Sequence, residues 1–149
     1  MSDTKAIRIA SVKYADKYKL RLRWVSGKTM VVDLQEPVHR LKGLRPLRDK
    51  TVFAQAAKGE GGHSVVWPSE IDMGADRLWE ISLEQNGHLD AVEFIRWRWR
   101  YGLSLSDAAE ALGLSRRQVA YYASGKRPVP RTVLLACKGW EVEKQSAAA

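Results

Sequence analysis

Between Leu103 and Arg127 the chain reads LSLSDAAEALGLSRRQVAYYASGKR, and two helix starts separated by a glycine leave this stretch little conformational choice. Ser104-x-x-Asp107 has the spacing of a capping box: the hydroxyl accepts one orphan backbone N–H of the first turn, and the carboxylate three residues on accepts the N–H of the cap itself. Leu105, Ala108, Ala109 and Leu112 then fall at i, i+3, i+4 and i+7, a single apolar stripe. Two of the four are alanines, which lets another helix cross closely. Gly113 supplies the residue that ends a helix in the left-handed region at least cost. Leu114 is an apolar turn residue. Ser115-x-x-Gln118 repeats the capping-box spacing, so a second helix starts at once. On it Val119, Tyr122 and Ala123 share the inner face, and Arg116, Arg117, Ala120 and Tyr121 the outer one. Ser124-Gly125 ends it, and Lys126 and Arg127 follow. The pattern predicts a helix, a three-residue turn and a second helix with a basic outer face.

The rest of the chain supplies a setting for this motif. Residues 7–12 are short and β-branched, a predicted strand that residues 14–17 break. Leu20, Leu22 and Trp24 alternate with Lys19, Arg21 and Arg23, the period of a half-buried strand. With the Ser26-Gly27-Lys28 turn and the β-branched run 29–34, residues 18–34 predict a β-hairpin. Its outer Arg21 and Arg23 could touch phosphate, although a solvated face explains the same alternation. Residues 35–50 read as a helical turn and loop covering a sheet edge. Residues 51–57 are a candidate strand, 58–62 a flexible glycine turn, and 63–67 a strand stopped by Pro68, so 53–67 predict a second hairpin. An extended or turn piece at 69–73 leads into a helix over 75–83. Residues 85–88 form a polar linker.

Leu89–Tyr101 predicts a helix with nearly two apolar faces, one carrying Val92, Ile95 and Trp99 and the other Phe94, Trp97 and Tyr101. Interleaved arginines and tryptophans can stack on single strands, but at helical spacing a core role is the stronger explanation. Glu93, Arg96 and Arg100 hold the exposed edge. Pro130 suits the first turn of a last helix, with Val133, Leu134, Cys137 and Trp140 inside. The organisation expected is a small α+β domain over 1–86, mostly antiparallel sheet with one or two helices. An all-α domain of four to five helices follows over 87–142, with a disordered tail at 143–149.

Charge narrows the partners. The 149 residues carry a formal net charge of +8. Residues 91–149 hold ten Lys and Arg against five Asp and Glu, whereas 1–90 hold fifteen against twelve, so the excess gathers around the motif. A basic surface favours polyanions, chiefly nucleic acid. One cysteine, Cys137, excludes an internal disulfide and a cysteine-based zinc site, and on an apolar face it reads as a buried hydrophobe. No run approaches the roughly 18 apolar residues of a membrane helix, and the start lacks a signal-peptide core. A cytoplasmic protein without membrane association is expected.

Residues Leu105–Tyr122, with Ala109, Gly113, Val119 and Tyr122 in the small-residue, glycine and inner-face positions, resemble the helix-turn-helix of the lambda-repressor/Cro family, the xenobiotic-response-element type. The Ser-Gly-Lys-Arg run at 124–127 and the flanking helices at 89–101 and 130–140 match it too. Ala123 departs from the glutamate common before the Ser-Gly, and the region after Trp140 is short for the usual fifth helix. The N-terminal run Trp67-Pro68-Ser69-Glu70-Ile71-Asp72-Met73, then Ala75-Asp76-Arg77-Leu78, with 31–34 and Phe53 upstream, is similar to a small bacterial α+β domain of unknown function often fused to or encoded beside antitoxin-like regulators. The first resemblance implies a second helix in the major groove. Arg116, Arg117, Tyr121 and Ala120 would then read bases, the arginines by their fork on guanine O6 and N7. Ser115, Ser124, Lys126 and Arg127 would hold phosphates. A DNA-binding transcriptional regulator follows, a repressor or antitoxin-like autoregulator, acting on double-stranded DNA as a homodimer with a possible partner protein encoded nearby.

The competing reading is a protein-interaction module whose N-terminal domain binds a partner and whose helix-turn-helix mainly dimerises. Enzyme chemistry has little support. His39, His63 and His88 lie in separate turns without metal-ligand spacing, and the glycines at 59, 61 and 62 lack the Lys-Ser/Thr of a phosphate loop. Asp33 and Asp72 read as turn and cap residues. No cofactor and no metal are expected.

Overall fold

In the computed structural model, which describes residues 7–148, the strand alternation builds the first sheet. Along β2 (Lys19–Trp24), Leu20, Leu22 and Trp24 are buried while Arg21 and Arg23 are exposed. β1 (Ile9–Asp16) and β3 (Thr29–Asp33) pair with it antiparallel, one on each side. The register sets Leu20 opposite Val32 and Leu22 opposite Met30. A one-residue slip would turn this whole set to water, so burial holds the register. The hairpin expected over 18–34 is present. β1, in contrast, does not break at residues 14–17. It absorbs an irregularity between Tyr14 and Asp16 and reverses at Lys17, whose φ is +47°; a bulge lets a strand take an extra residue without ending. The polar start at 1–5 lies outside the described residues.

Helix α1 (Gln35–Arg40) and a 3-10 turn (Lys42–Arg48) follow the sheet. Of the strand expected over 51–57, residues 51–53 lie in a helix instead, α2 (Lys50–Phe53), and only Ala57 joins a strand. Asp49 Oδ1 accepts the Thr51 N–H at 2.8 Å, and this cap outweighs the β-propensity of Thr51-Val52-Phe53. Phe53 is fully buried, with its ring centre 5.5 Å from that of Tyr18 and 5.8 Å from that of Trp67. Trp67 Nε1–H also donates to the Phe53 carbonyl at 2.9 Å.

The second sheet is antiparallel in the order β4 (Ala57–Lys58), β5 (Ser64–Trp67), β6 (Ile71–Gly74). The glycine turn before β5 packs closely on β1: Gly62 has φ +75°, and a Cβ there would lie 2.2 Å from the Ile9 carbonyl oxygen. Between β5 and β6, Ser69 (φ +67°) and Glu70 (φ +59°) both occupy the left-handed region that glycine usually fills.

α3 (Ala75–Gln85) buries Leu78, Trp79 and Leu83, and Trp79 meets Trp24 edge-on at 4.9 Å. Its C-terminal end ties to β3. Gln85 Oε1 accepts the Asp33 N–H at 2.7 Å, and Gln85 Nε2 donates to the Asp33 carbonyl at 2.8 Å. Asn86 Nδ2 donates to the Val31 carbonyl at 3.1 Å and the Ser82 carbonyl at 2.8 Å. The segment read as a polar linker therefore begins as part of the fold.

The chain divides into two compact units, Ile7–Gly87 and the helices from His88 onward. The second holds α4 (Leu89–Arg100), α5 (Leu105–Leu112), α6 (Arg116–Ala123) and α7 (Arg131–Ala148). Its core joins Phe94 and Trp97 of α4 to Leu105, Ala108, Ala109, Val119, Tyr122, Ala123, Val129, Val133 and Cys137. The rings pack edge-on, Phe94 on Tyr122 at 5.7 Å and Trp97 on Trp140 at 5.5 Å. Fully burying a side chain such as Val119 or Phe94 stabilises by about 1.5–3 kcal/mol. The surface pairs Arg100–Glu141 (2.8 Å) and Lys138–Glu93 (3.6 Å) between α4 and α7 contribute about 0–1 kcal/mol each, so apolar contact is what holds this unit. α7 runs through residues 143–148, where a disordered tail was expected. The sequence there is Glu, Lys, Gln and Ala with a single Ser, all tolerated in helices and none a breaker. Ala149 lies outside the described residues. No helix among the described residues is long and apolar enough to cross a membrane.

Candidate nucleic-acid interface

The α5–turn–α6 segment follows from its caps. The Ser104 N–H donates to Asp107 Oδ2 at 3.2 Å, and the Asp107 N–H donates to Ser104 Oγ at 3.0 Å, the reciprocal pair expected. Buried Arg98 supports the approach to this cap. Its Nε–H donates to the Leu103 carbonyl at 3.0 Å, and the Leu103 N–H returns to the Arg98 carbonyl at 2.9 Å. Sequence reasoning assigned Arg98 no role, because a bond to a backbone group leaves no trace in residue types. α5 ends at Gly113 with φ +69°, and the Leu114 N–H reaches back to the Ala109 carbonyl at 2.9 Å, the six-residue closure of a glycine-ended helix.

α6 starts on half of its expected capping box. Ser115 Oγ accepts the Gln118 N–H at 3.1 Å, but the Gln118 side chain turns away and donates to Tyr122 Oη at 2.9 Å. A buried phenol needs a polar partner more than an exposed cap does. Val119, Tyr122 and Ala123 are buried, as the inner face requires. Arg116 and Arg117 are exposed on the first turn, and α6 contains no acid. At the other end, Lys126 Nζ lies 4.6 Å and Arg127 Cζ 4.8 Å from the centre of the Tyr121 ring. The Arg127 N–H also donates to the Tyr121 carbonyl at 3.2 Å. Two cation–π contacts of about 0.5–1 kcal/mol each hold both charges at this end of the helix.

The four cations among the eight residues singled out thus fall into two basic groups, Arg116 with Arg117 on the first turn of α6 and Lys126 with Arg127 on Tyr121. Ala120 lies between them, half-buried and packed against the core. Ser115 Oγ is engaged in the cap but keeps its hydrogen to donate. Ser124 Oγ donates to the Tyr121 carbonyl at 3.4 Å. Chemically the face offers two guanidiniums at one end, a guanidinium and an ammonium at the other, and a small side chain between.

Other chemistry finds little here. Burial pushes the Cys137 thiol up to about 12, with Glu141 and Glu93 adding to the shift, so the thiol stays protonated and unreactive at neutral pH. Two aromatic rings of α4 serve the core: Phe94 and Trp97 are 0% and 2% exposed and cannot stack on a base. Among the described residues no three His, Cys, Asp or Glu side chains gather as a metal site.

A solved structure from Nitrosomonas europaea ATCC 19718, named "Putative DNA Binding Protein", is 36% identical to this chain, covers 91% of it and 86% of its own length, and superposes with a TM-score of 0.70. That coverage takes in sequence from both units. No curated protein matches the chain. The profile of the family described as a protein of unknown function, DUF2442, matches residues 9–84, about half of the chain and nearly all of the first unit, and the protein belongs to that family.

Proposed function

We propose that this protein binds double-stranded DNA sequence-specifically through α6 and acts as a transcriptional regulator of the lambda-repressor/Cro type, a repressor or an antitoxin-like autoregulator. The observation that carries the reading is the outer face of α6: Arg116 and Arg117 exposed on its first turn, no acid in the helix, and Lys126 and Arg127 held at its far end by Tyr121. A helix presented this way lays its early residues on base edges in the major groove, while the residues at its end meet the backbone. Arg116 and Arg117 then read guanines, each good bidentate contact discriminating by about 1–3 kcal/mol. Ala120 is small enough to approach a thymine methyl. Ser115, Lys126 and Arg127 take phosphates, and Ser124 joins them by turning its hydroxyl from the Tyr121 carbonyl. The name of the 36%-identical Nitrosomonas protein supports the same class.

In this reading the protein is a cytoplasmic homodimer on a near-palindrome, its half-sites about 34–36 Å apart, with no enzymatic activity. The DUF2442 unit receives the signal or partner protein. The test is selection of bound duplexes from a random pool, followed by gel shifts at several salt concentrations. Wild type should enrich one guanine-containing half-site and bind it with a steep salt dependence. The R116E/R117E variant should lose that preference with its melting curve unchanged. Normal binding of the selected site by that variant would refute the assignment.

A further inference from the structure

A second strongly basic surface lies on the other unit, on the outward face of the β1–β2–β3 sheet. Arg21 and Arg23 alternate outward along β2, and the register places Lys13 directly opposite Arg21. Ser11 and Thr29 stand on either side of Arg23. Lys13, Arg21 and Arg23 are all exposed, and no side-chain hydrogen bond or ion pair ties any of them to another described residue. The nearest acids by register, Asp16 and Asp33, both stand opposite Lys19, beyond the patch. Asp33 Oδ1 is further occupied by the Gln35 N–H at 2.9 Å.

Like charges set directly opposite in a sheet are destabilising. A merely solubilising face would interleave both signs. Here Lys13 faces Arg21 with no intervening carboxylate, and Arg23 follows two residues on. Residues two apart on a strand stand roughly 7 Å apart, and a directly opposed pair about 5 Å. The three cations thus form a compact triangle, with the hydroxyls of Ser11 and Thr29 at its margin. Polyanionic backbone with closely spaced single charges matches this pattern; duplex DNA carries one charge per 3.4 Å of axis on each strand. We infer that this sheet face is a sequence-independent phosphate-binding surface, through which the DUF2442 unit itself grips the backbone of duplex DNA. The inference rests on the DNA-binding reading of α6 but assigns a different unit and a different role: Lys13, Arg21 and Arg23 add affinity without adding sequence preference.

The experiment measures binding of the full chain to its selected duplex and to a random-sequence duplex by fluorescence anisotropy across a salt series. Four proteins are compared: wild type, K13Q/R21Q/R23Q, R116E/R117E, and the combination. Neutralising three phosphate contacts should lower the slope of log affinity against log salt by about 2–3. Affinity for both duplexes should fall by the same factor, with their ratio unchanged. R116E/R117E should show the converse, losing the ratio but retaining random-duplex binding that the combination removes. An unchanged slope in K13Q/R21Q/R23Q, with wild type binding normally, overturns this inference and leaves the α6 reading standing. Failure of wild type to bind either duplex overturns both. If the protein instead sediments with phosphatidylserine vesicles, ignores duplexes, and loses the vesicles on K13Q/R21Q/R23Q, the face serves a lipid surface and the inference is likewise overturned. Unchanged circular dichroism and melting in K13Q/R21Q/R23Q check that the exposed substitutions leave the fold intact.

Discussion

Two glycines separate the cost of a backbone conformation from the cost of a missing space. Gly113 and Gly62 have nearly the same φ, +69° and +75°. A Cβ at Gly113 would meet nothing within 4 Å, whereas at Gly62 it would lie 2.2 Å from the Ile9 carbonyl oxygen and 3.1 Å from the Ile9 nitrogen. Gly113→Ala should therefore cost only the left-handed penalty, about 1–2 kcal/mol. Gly62→Ala adds an overlap with backbone that no side-chain rotation can relieve, so the start of β1 must move away. Overpacking of this kind costs about 1–3 kcal/mol more, giving about 2–5 kcal/mol in all. For a unit of this size 1 kcal/mol corresponds to about 4–8 °C in Tm. Because the substitutions fall in different units, hydrogen exchange followed by mass spectrometry should read each one locally. Gly113→Ala should raise exchange in α5 and α6, and Gly62→Ala should raise it further in β1 and β5. If Gly62→Ala proved no more costly than Gly113→Ala, the close approach of the glycine turn to β1 would be wrong.

Tyr121 gives a test at the interface itself. Tyr121→Phe keeps the π face under Lys126 and Arg127 and should leave affinity for the selected duplex within about twofold. Tyr121→Leu removes the platform and should weaken binding several-fold, in line with two contacts of about 0.5–1 kcal/mol; equal effects of the two substitutions would dismiss the cation–π arrangement. Cys137 predicts a pH effect. Its folded pKa is raised to about 12 from an ordinary 9.0, so above pH 9 the unfolded chain releases a proton that the folded chain keeps. Stability from this thiol is complete below pH 9 and declines as pH rises towards 12. Subtracting the urea-unfolding profile of Cys137→Ala from that of wild type over pH 8–11 should show this slope, and parallel profiles would contradict the burial.

What could be read in the residues was what is local or strictly periodic. The Ser104/Asp107 box, the glycine stop and the inner face of α6 depend on partners three to five residues away, so their spacing carries them. The alternation of Leu20, Leu22 and Trp24 with charged residues carried the first hairpin. Where two local preferences competed, the β-branched run at 51–53 misled, because Asp49 caps a helix there. Gln118 matched a capping box, yet its side chain goes to the buried Tyr122 hydroxyl, a choice made by packing. Ser69 and Glu70 carry no sign of the left-handed turn they adopt. Arg98 carried no role in the residue pattern, and only the folded turn shows that it bonds the Leu103 carbonyl. The outer face of α6 was legible residue by residue. That Tyr121 gathers Lys126 and Arg127 depends on how the chain folds back after the helix.

The bonds from Gln85 and Asn86 to β3 have a consequence for the protein at high concentration. β3 ends its sheet, and an open edge strand is a template on which another chain can polymerise. Gln85 occupies the Asp33 N–H and carbonyl as a neighbouring strand would, and Asn86 takes the Val31 carbonyl. Two side-chain amides thus stand in for a missing strand and close the edge against edge-to-edge aggregation. The guard is chemically fragile, because only an amide supplies the donors. Hydrolysis of the Asn86 amide, in a residue followed by Gly87, would set a carboxylate against the Val31 and Ser82 carbonyls, and part of that edge would be open again.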